Sequence, residues 1–194
     1  MCGRFFIEEE ELNYIRQQVS LENRRFAAEA GKPLTGDRHP GDPAFVICPL
    51  PDGRTFLTAM KWGFKAPAEK KLIFNARSET ALTKELFSDS VLHRRCCIPA
   101  GGFYEWNRDK KQFTFTGGEE APLFLAGFWR KNSGEEQFVI LTAAADSVML
   151  PVHDRMPVLL DEAARRKWLS PDTDIPLLFQ QAHDVGLRIS EKLF

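Results

Sequence analysis

The feature that most restricts the fold of this chain is a run of consecutive strand-like segments in its second half. Between residues 95 and 160, short stretches rich in β-branched and aromatic residues are separated by turn signals such as Asn132-Ser133-Gly134. The predicted strands are Arg95–Pro99, Phe103–Asn107, Gln112–Thr116, Leu123–Trp129, Phe138–Thr142 and Met156–Leu160. Strands that follow one another without intervening helices favour an α+β fold over an alternating α/β fold.

Helical patterns lie on both sides of this run of strands. A loose apolar stripe predicts a helix over residues 8–30. Ser78 is expected to cap a short helix that continues to Phe87, because a serine oxygen accepts from the free N–H groups of a first turn. Asp161 is expected to cap a second helix over Glu162–Leu169 for the same reason.

The first half of the chain also carries a clear hairpin signal. Two strand patterns, Ala44–Cys48 and Thr55–Met60, flank a Pro-Asp-Gly turn, while residues 32–43 and 65–71 are rich in turn-forming or polar residues and predict loops. We find no repeat and no linker that would divide the sequence. The prediction is therefore a single domain over residues 1–194.

Composition limits the classes of function. The formal net charge is −1, so a nucleic-acid site would be a local patch and not a property of the whole surface. No apolar stretch approaches the ~20 residues that a membrane span needs, and the polar, acidic N-terminus does not resemble a secretory signal. These observations predict a cytoplasmic protein without a membrane partner.

The four cysteines do not form the pattern of a disulfide framework. Cys96 and Cys97 are adjacent in an apolar run, far in sequence from Cys2 and Cys48. His93 precedes Cys96 by three residues, but no second ligand pair of matching spacing accompanies it. We therefore predict neither a metal nor any other cofactor.

Cys2 offers unusual chemistry if Met1 is removed. The residue then carries a free α-amine and a thiol on adjacent carbons, with ordinary pKa values of about 8 and about 8.5. Such a pair can form a Schiff base with an aldehyde and close it to a thiazolidine ring. It can equally serve as an amidase nucleophile with its own base, and a cysteine at position 2 can also have no chemical role.

Four segments place polar groups where strand packing does not require them. Each combines one acid–base or hydrogen-bonding group with glycines, prolines or aromatic residues that would fix the wall of a site. In order, they are Cys2-Gly3-Arg4, Phe74-Asn75-Ala76-Arg77-Ser78-Glu79-Thr80, Cys97-Ile98-Pro99-Ala100-Gly101-Gly102-Phe103-Tyr104-Glu105-Trp106 and Val152-His153-Asp154-Arg155-Met156-Pro157.

Together these segments resemble the SOS response-associated peptidase (SRAP) family of abasic-site processing proteins. The family shares the Met-Cys-Gly-Arg start and the other three blocks in the same order, which here cover positions 1 to about 160. The resemblance implies a single domain with a mostly antiparallel, barrel-like β core flanked by helices. It also implies a monomer that loses Met1 and forms a covalent thiazolidine crosslink with abasic sites in single-stranded DNA.

The resemblance also implies roles for individual residues. Cys2 corresponds to the nucleophile, and Asn75, Glu105 and His153 correspond to the supporting catalytic residues. The chemistry suits these residue types: opening a closed abasic sugar needs an acid, and loss of water from the first adduct needs a proton. Without the family match, the bland alternatives are a solvent-facing carboxylate at Glu105, a loop-end hydrogen bonder at His153 and a turn residue at Asn75.

Further positions are expected to contact DNA through phosphate-binding side chains and aromatic faces. The arginines adjoin the predicted catalytic groups, and the other positions match the family near its DNA path. Ordinary core burial is the alternative for both tryptophans. The predicted DNA-binding residues are Arg4, Pro40, Trp62, Arg77, Trp106, Thr142 and Arg155.

The sequence departs from the family in two places. After Trp62-Gly63 the chain lacks the second tryptophan that relatives carry, and Asp37-Arg38-His39 replaces a Tyr-Asn pair before Pro40. Two other functions also stay open. A class II glutamine amidotransferase shares the Met-Cys-Gly start but needs an oxyanion-hole Asn-Gly, which this sequence lacks. A non-covalent single-stranded DNA-binding module is the second alternative.

Overall fold

A computed structural model describes residues 2–22, 34–65, 71–118, 122–180 and 185–191. Within these ranges the chain forms mostly β structure. The strands are β1 (Phe5–Ile7), β2 (Leu21–Glu22), β3 (Gly36–Arg38), β4 (Pro43–Pro49), β5 (Thr55–Trp62), β6 (Phe64–Lys65), β7 (Leu72–Ile73), β8 (Asn75–Arg77), β9 (Arg95–Ala100), β10 (Gly102–Trp106), β11 (Gln112–Thr116), β12 (Leu123–Asn132), β13 (Glu135–Ala144), β14 (Arg155–Pro157) and β15 (Arg188–Glu191). The helices are α1 (Glu9–Gln18), α2 (Ser78–Ala81), α3 (Glu85–His93), α4 (Glu162–Leu169) and α5 (Ile175–Gln180).

Five strands close into a barrel in the order β13-β12-β9-β4-β5. Neighbours along this order pair antiparallel, and the parallel pairing of β13 with β5, with Phe138 opposite Trp62, closes the ring. Closure leaves these strands without an open edge. The expected α+β fold with a mostly antiparallel, barrel-like core is therefore confirmed.

Two additions to the barrel bring the predicted site residues together. β8 joins β13 in parallel and β14 joins it antiparallel on the same strand. A second sheet, in the order β15-β11-β10-β1-β3, carries the N-terminal strand against β10, with Phe5 opposite Phe103. The chain start and β10 thus belong to one sheet, while β8 and β14 belong to the barrel.

Side chains of the barrel strands alternate between two apolar clusters, as the two faces of a strand require. Helices cover one face: Leu12 of α1, Val91 of α3 and Trp168 of α4 pack with Ile47 and its neighbours. Helices can cover only the outer face of a closed barrel, so the other cluster fills its interior. That interior cluster extends onto the second sheet and includes Cys2.

Several local predictions are confirmed. The hairpin appears as β4 and β5, and α4 has the predicted bounds. The backbone N–H of Ala164 donates to the Asp161 carboxylate at 2.7 Å, which is the predicted cap. The predicted strands from residue 95 to residue 142 are present, although β12 and β13 extend further, to Asn132 and from Glu135.

The predicted first helix is too long. α1 ends at Gln18, Val19 is extended (φ −102°, ψ 148°), and β2 then pairs with β5, so a long-range strand pairing overrides the helical pattern. Residues 23–30 of that prediction lie outside the described ranges.

The remaining differences concern short segments. The predicted helix from Ser78 to Phe87 is two helices, and Arg77 occupies the N-cap of the first because pairing with Thr142 keeps the backbone extended through it. The predicted loop over 32–43 contains β3, which pairs with β1. The last predicted strand ends at Pro157, after which Val158 bonds to Leu141 of β13 and Leu160 to Phe124 of β12.

Of the predicted loop at 65–71, only its end residues belong to the described part of the chain, and Lys65 ends β6. Among the described residues, no helix combines the length and the apolar character needed to cross a lipid bilayer.

Candidate active site

Cys2 lies inside the protein, at the junction of the second sheet and the barrel. Its side chain is fully buried and belongs to the barrel-interior cluster. The Sγ atom lies 3.9 Å from the carbonyl oxygen of Arg4, to which the thiol donates weakly. Burial, and then the negative charge of Glu105, raise the pKa of the thiol from 9.0 to about 12. At neutral pH the sulfur is therefore a protonated thiol.

Asn75 connects the barrel to the chain start. It opens β8, where pairing with β13 fixes it opposite Ile140. Its Nδ2 donates to the carbonyl oxygen of Cys2 at 2.8 Å. Its Oδ1 is buried and has no hydrogen-bond partner among the described residues. A buried amide oxygen without a donor is available to an incoming N–H or O–H group, such as an α-amine on Cys2.

Glu105 approaches Cys2 from the second sheet. Strand alternation on β10 turns its side chain inward, where only 6% of the residue is exposed, while Trp106 points outward. The backbone N–H of Trp106 donates to Glu105 Oε1 at 3.3 Å. Glu105 follows Tyr104, whose N–H donates to the Arg4 carbonyl at 2.9 Å, and its negative charge contributes to the raised pKa of the Cys2 thiol. Because Glu105 is buried, the solvent-facing alternative is wrong.

His153 lies at the end of a tight turn that begins at Asp146. The backbone N–H groups of Val148 and Met149 donate to Asp146 Oδ1 at 3.0 and 2.8 Å, and the N–H of His153 donates to the Met149 carbonyl at 3.0 Å. Met149 and Val152 are buried in the same interior cluster as Cys2. Packing thus attaches this turn to the barrel-interior cluster that also contains Cys2.

The imidazole of His153 has a defined orientation. Its Nδ1 accepts a hydrogen bond from the backbone N–H of Arg155 at 2.9 Å. Asp154 Oδ1 also lies 3.0 Å from the same nitrogen, but a nitrogen that accepts from Arg155 carries no proton to share. The neutral ring therefore carries its proton on Nε2.

Two of the predicted phosphate-binding arginines are already engaged by carboxylates. Arg4 forms an ion pair with Asp37, and its guanidinium lies 4.7 Å from the ring centroid of Tyr104. Arg155 binds Glu79 through both terminal nitrogens, with one N–O distance of 2.9 Å. These pairings hold both guanidinium groups in place while no DNA is bound.

Arg155 is also fixed from the barrel side. Its Nη2 donates to the carbonyl oxygen of Thr142 at 2.7 Å. The Arg155 pairing lowers the pKa of the Glu79 carboxyl below its ordinary value. Sequence reasoning missed both acidic partners; the signal for Glu79 was its position in the same block as Asn75, whereas Asp37 gave none.

Arg77 differs from the other two arginines. Its side chain is exposed at the end of β8, and it makes no hydrogen bond or ion pair with another described residue. It pairs in register with Thr142, two residues along β8 from Asn75. Arg77 is thus an exposed cation near the site. Its charge helps to lower the pKa of Glu79, but no carboxylate of the described residues pairs with it directly.

Two of the other four predicted DNA-contacting residues are not at the surface. Trp62 is fully buried: its Nε1 donates to the Phe74 carbonyl at 2.9 Å, and its ring stacks on Phe138 at 6.3 Å. Its side chain cannot stack on a base unless the core opens, so the core alternative describes it. Thr142 is likewise fully buried, and its hydroxyl donates to the Ala76 carbonyl at 3.3 Å.

Trp106 and Pro40 lie closer to solvent. Trp106 is 36% exposed at the outer end of β10, beside Glu105. Pro40 is half-buried in a turn, and the next residue, Gly41, donates its N–H to the Trp62 carbonyl at 2.7 Å. The backbone of the buried Trp62 therefore holds the Pro40 turn in place through this hydrogen bond. Trp106 has a partly exposed aromatic ring.

Within the described ranges, no group of three or more His, Cys, Asp and Glu side chains is arranged to hold a metal ion. His183 lies outside these ranges. A cleft of about 780 Å³ lies against α4 and is lined by residues such as Leu50, His93 and Arg165, but by none of the predicted site residues.

The chain is similar to a known protein family and to several of its members. The model of the family described as SOS response associated peptidase (SRAP) matches residues 1–188. The abasic site processing protein YedK of Escherichia coli is 30% identical over 87% of this chain and 79% of the relative. The abasic site processing protein YoqW of Bacillus subtilis is also 30% identical, over 91% and 83%. A solved structure from Bordetella bronchiseptica has the same fold: its TM-score is 0.79 at 22% identity, with both chains covered completely.

Proposed function

Because the chain belongs to the SOS response associated peptidase family, we propose that it processes abasic sites in single-stranded DNA by crosslinking them to Cys2. The relatives described above are named abasic site processing proteins. The observation that carries the proposal is the pairing of Cys2 with Asn75 at 2.8 Å beside the buried Glu105. An N-terminal aminothiol with an amide and a carboxylate next to it is suited to capture an aldehyde.

Removal of Met1 prepares the nucleophile. Hydrolysis of the Met1–Cys2 peptide bond consumes one water and converts the amide nitrogen of Cys2 into a free amine. Asn75 holds the Cys2 carbonyl, so the new amine stays close to the buried Oδ1 of Asn75. This hydrolysis is the peptidase activity that we assign to the chain.

The amine attacks before the thiol. An α-amine with a pKa near 8 is partly unprotonated at neutral pH, whereas the thiol has a pKa of about 12 and is almost entirely protonated. The nitrogen adds to the aldehyde carbon of the ring-opened sugar, and loss of one water gives an imine. The sulfur then adds to the imine carbon while the thiol proton is transferred to the nitrogen, which closes the thiazolidine.

Glu105 and His153 serve the proton transfers. Glu105 lies near the Cys2 sulfur, so its carboxylate can accept the thiol proton and return it to the nitrogen during ring closure. His153 presents Nε2–H, which can donate a hydrogen bond to the departing hydroxyl of the first adduct, while Nδ1 accepts from the backbone N–H of Arg155. The same donor can polarise the ring oxygen when the closed sugar opens.

The DNA strand is held by contacts that do not read sequence. Trp106 offers a partly exposed ring for stacking of a neighbouring base, and Arg77 offers an unengaged guanidinium for a phosphate. The proposal also includes a cytoplasmic, single-domain monomer. The four described cysteines are free thiols, which suits a reducing compartment.

A denaturing gel tests the proposal directly. Protein lacking Met1 is incubated with single-stranded DNA that contains one uracil, with and without uracil glycosylase, which creates the abasic site. We expect a slowly migrating, heat-stable band only with glycosylase. Retention that is lost on denaturation and weakens steeply with salt would instead indicate a non-covalent binding module. Glutamine hydrolysis without crosslinking would indicate an amidotransferase.

A further inference from the structure

The turn between β10 and β11, residues 107–111, directly follows Glu105 and Trp106 on the same hairpin. Trp106 pairs with Gln112, so the strand pairing ends where this turn begins. We call residues 107–111 the β10–β11 turn. The established family blocks end before it, and none of the predicted site residues lies within it.

The β10–β11 turn has a defined conformation. The N–H groups of Asp109 and Lys111 both donate to Asn107 Oδ1 at 3.0 Å. The backbone of Asn107 also pairs with Lys110 and with Lys111, each at 3.0 Å. A turn that is ordered by its own hydrogen bonds presents its outward side chains at little further cost in conformational entropy.

Two cations of this turn have no competing partner. The side chains of Arg108 and Lys110 are exposed and form no hydrogen bond or ion pair with another residue in the described part of the chain. Lys111, in contrast, is held by Glu191 at 3.1 Å. Arg4 and Arg155 near the site are also held by carboxylates, so the turn supplies cations that those arginines do not.

The turn also lies close to the reactive residue. β1 runs antiparallel to β10 with Phe5 opposite Phe103, and the N–H of Tyr104 donates to the Arg4 carbonyl at 2.9 Å. Arg4 is two residues from Cys2, and the turn begins three residues beyond Tyr104 along β10. At ~3.3 Å per residue along a strand, the turn therefore begins roughly 10 Å from the backbone of Arg4. A DNA strand joined to Cys2 would pass near the turn.

From these observations we infer that the β10–β11 turn is a phosphate-binding element, in which Arg108 and Lys110 hold the DNA backbone beside the lesion. The inference rests on the proposed function, because it takes single-stranded DNA as the ligand. Trp106, at the base of the turn, then receives the base next to the bound phosphates. Binding of this kind is electrostatic and independent of sequence.

The test uses a single-stranded oligonucleotide with one tetrahydrofuran residue, an abasic analogue that has no aldehyde. Its dissociation constant is measured at several salt concentrations for wild type, for Arg108→Ala/Lys110→Ala, and for Arg166→Ala/Lys167→Ala. The last variant removes the same two charges from exposed positions of α4, which packs on the outer face of the barrel. Far-ultraviolet circular dichroism verifies that all three proteins are folded.

If the turn binds phosphates, the first variant weakens binding at low salt by about tenfold or more. The slope of log K against log salt decreases by about 1.4, since each contact to a single strand contributes about 0.7. The α4 variant keeps the wild-type slope. Equal slopes for all three proteins overturn the inference. Failure of wild type to crosslink aldehyde-bearing DNA would overturn the proposed function instead, and the salt slopes are measured independently of it.

Discussion

The protein contains two places where buried thiols meet other groups, and only one of them is equipped for chemistry. At the junction of the two sheets, Cys2 lies next to Asn75 and Glu105. Inside the barrel wall, Cys48 of β4 lies opposite Cys96 of β9, because Ile47 pairs with Cys97 in the same antiparallel register. Cys2, Cys48 and Cys96 all belong to the barrel-interior cluster.

Burial alone does not separate these thiols. Burial raises the pKa of Cys48 and Cys96, as it does for Cys2, so each is protonated at neutral pH. The difference is the surroundings: Cys2 has an amide and a carboxylate beside it and becomes a terminal residue when Met1 leaves. Reactivity in this fold therefore depends on chain position and polar neighbours, and not on an acidic thiol.

Replacement of Cys2 gives the largest expected effect. Cys2→Ala removes the sulfur that closes the ring, so no heat-stable adduct with abasic single-stranded DNA should form. Cys96→Ala removes an equally buried thiol from the barrel and should retain crosslinking. Both variants are compared with wild type on the same denaturing gel. If Cys2→Ala formed as much heat-stable adduct as wild type, the claim that Cys2 and not Cys96 is the reactive thiol would be wrong.

Neutralising Glu105 should have the next largest effect. Glu105→Gln loses the group that carries the thiol proton, so crosslinking should slow by about 100-fold or more. It also removes a negative charge that raises the pKa of Cys2, so alkylation of this thiol should begin at lower pH. The measurements are single-turnover crosslinking and the pH dependence of iodoacetamide alkylation.

The barrel offers a matched control for that variant. The charge of Glu136 contributes to the raised pKa of Cys48 as that of Glu105 does for Cys2. Glu136→Gln should therefore make Cys48 more acidic and leave crosslinking at the wild-type rate. Equal slowing in both glutamine variants would show that general electrostatics, and not proton transfer at Cys2, controls the reaction.

Loss of the Asn75 amide should have a smaller effect. Asn75→Ala removes the 2.8 Å hydrogen bond to Cys2 and should slow crosslinking by about tenfold, because the amine is less well oriented. The free energy of unfolding should fall by about 1 kcal/mol. Asn132→Ala, at an exposed position on β12, serves as the control. A wild-type rate in Asn75→Ala would assign the amide to structure alone.

The smallest difference between the Cys2 junction and the barrel thiols is expected in stability at alkaline pH, where Cys2 and Cys96 should have the same effect. A thiol whose pKa is raised in the folded protein keeps its full contribution below the unfolded pKa of 9.0, and loses it as pH rises toward the folded pKa, about 12 for Cys2. Each such thiol lowers the free energy of unfolding by about 1.4 kcal/mol per pH unit in that range. The free energy of unfolding is measured with urea at pH 8.5 and pH 10.5. Its decrease between these pH values should be smaller in both Cys2→Ala and Cys96→Ala than in wild type, by the contribution of one thiol. A decline unchanged by either substitution would show that the affected thiol already ionises in the folded state.

The sequence predicted the elements whose patterns are local. The hairpin of β4 and β5 and the capped helix α4 follow from turn residues and a cap that act within a few positions. β2 and β3 were missed because pairing with distant strands creates them. The same limit applies to the site: the motif blocks named Cys2, Asn75 and Glu105, but only the tertiary structure shows that Asn75 bonds to the backbone of Cys2.

Charge pairing and burial of aromatic residues were the least predictable. Asp37 and Glu79 engage Arg4 and Arg155 from other elements, and no spacing rule connects these pairs along the chain. Trp62 was expected near DNA because of its motif, but three aromatic neighbours enclose it in the core. Trp106 was also expected near DNA because of its motif. Unlike Trp62, it is partly exposed, because it faces outward on β10.

The central claim is that both nucleophilic atoms of Cys2 end in one ring with the DNA sugar, and a thiol count tests it most directly. The crosslinked protein is digested with nuclease, denatured, treated with iodoacetamide and measured by mass spectrometry. Of the four cysteines in the sequence, Cys48, Cys96 and Cys97 should be alkylated, while residue 2 carries the sugar and no alkyl group. A sugar adduct accompanied by four alkylated cysteines, or an adduct attached to a lysine, would contradict the thiazolidine mechanism.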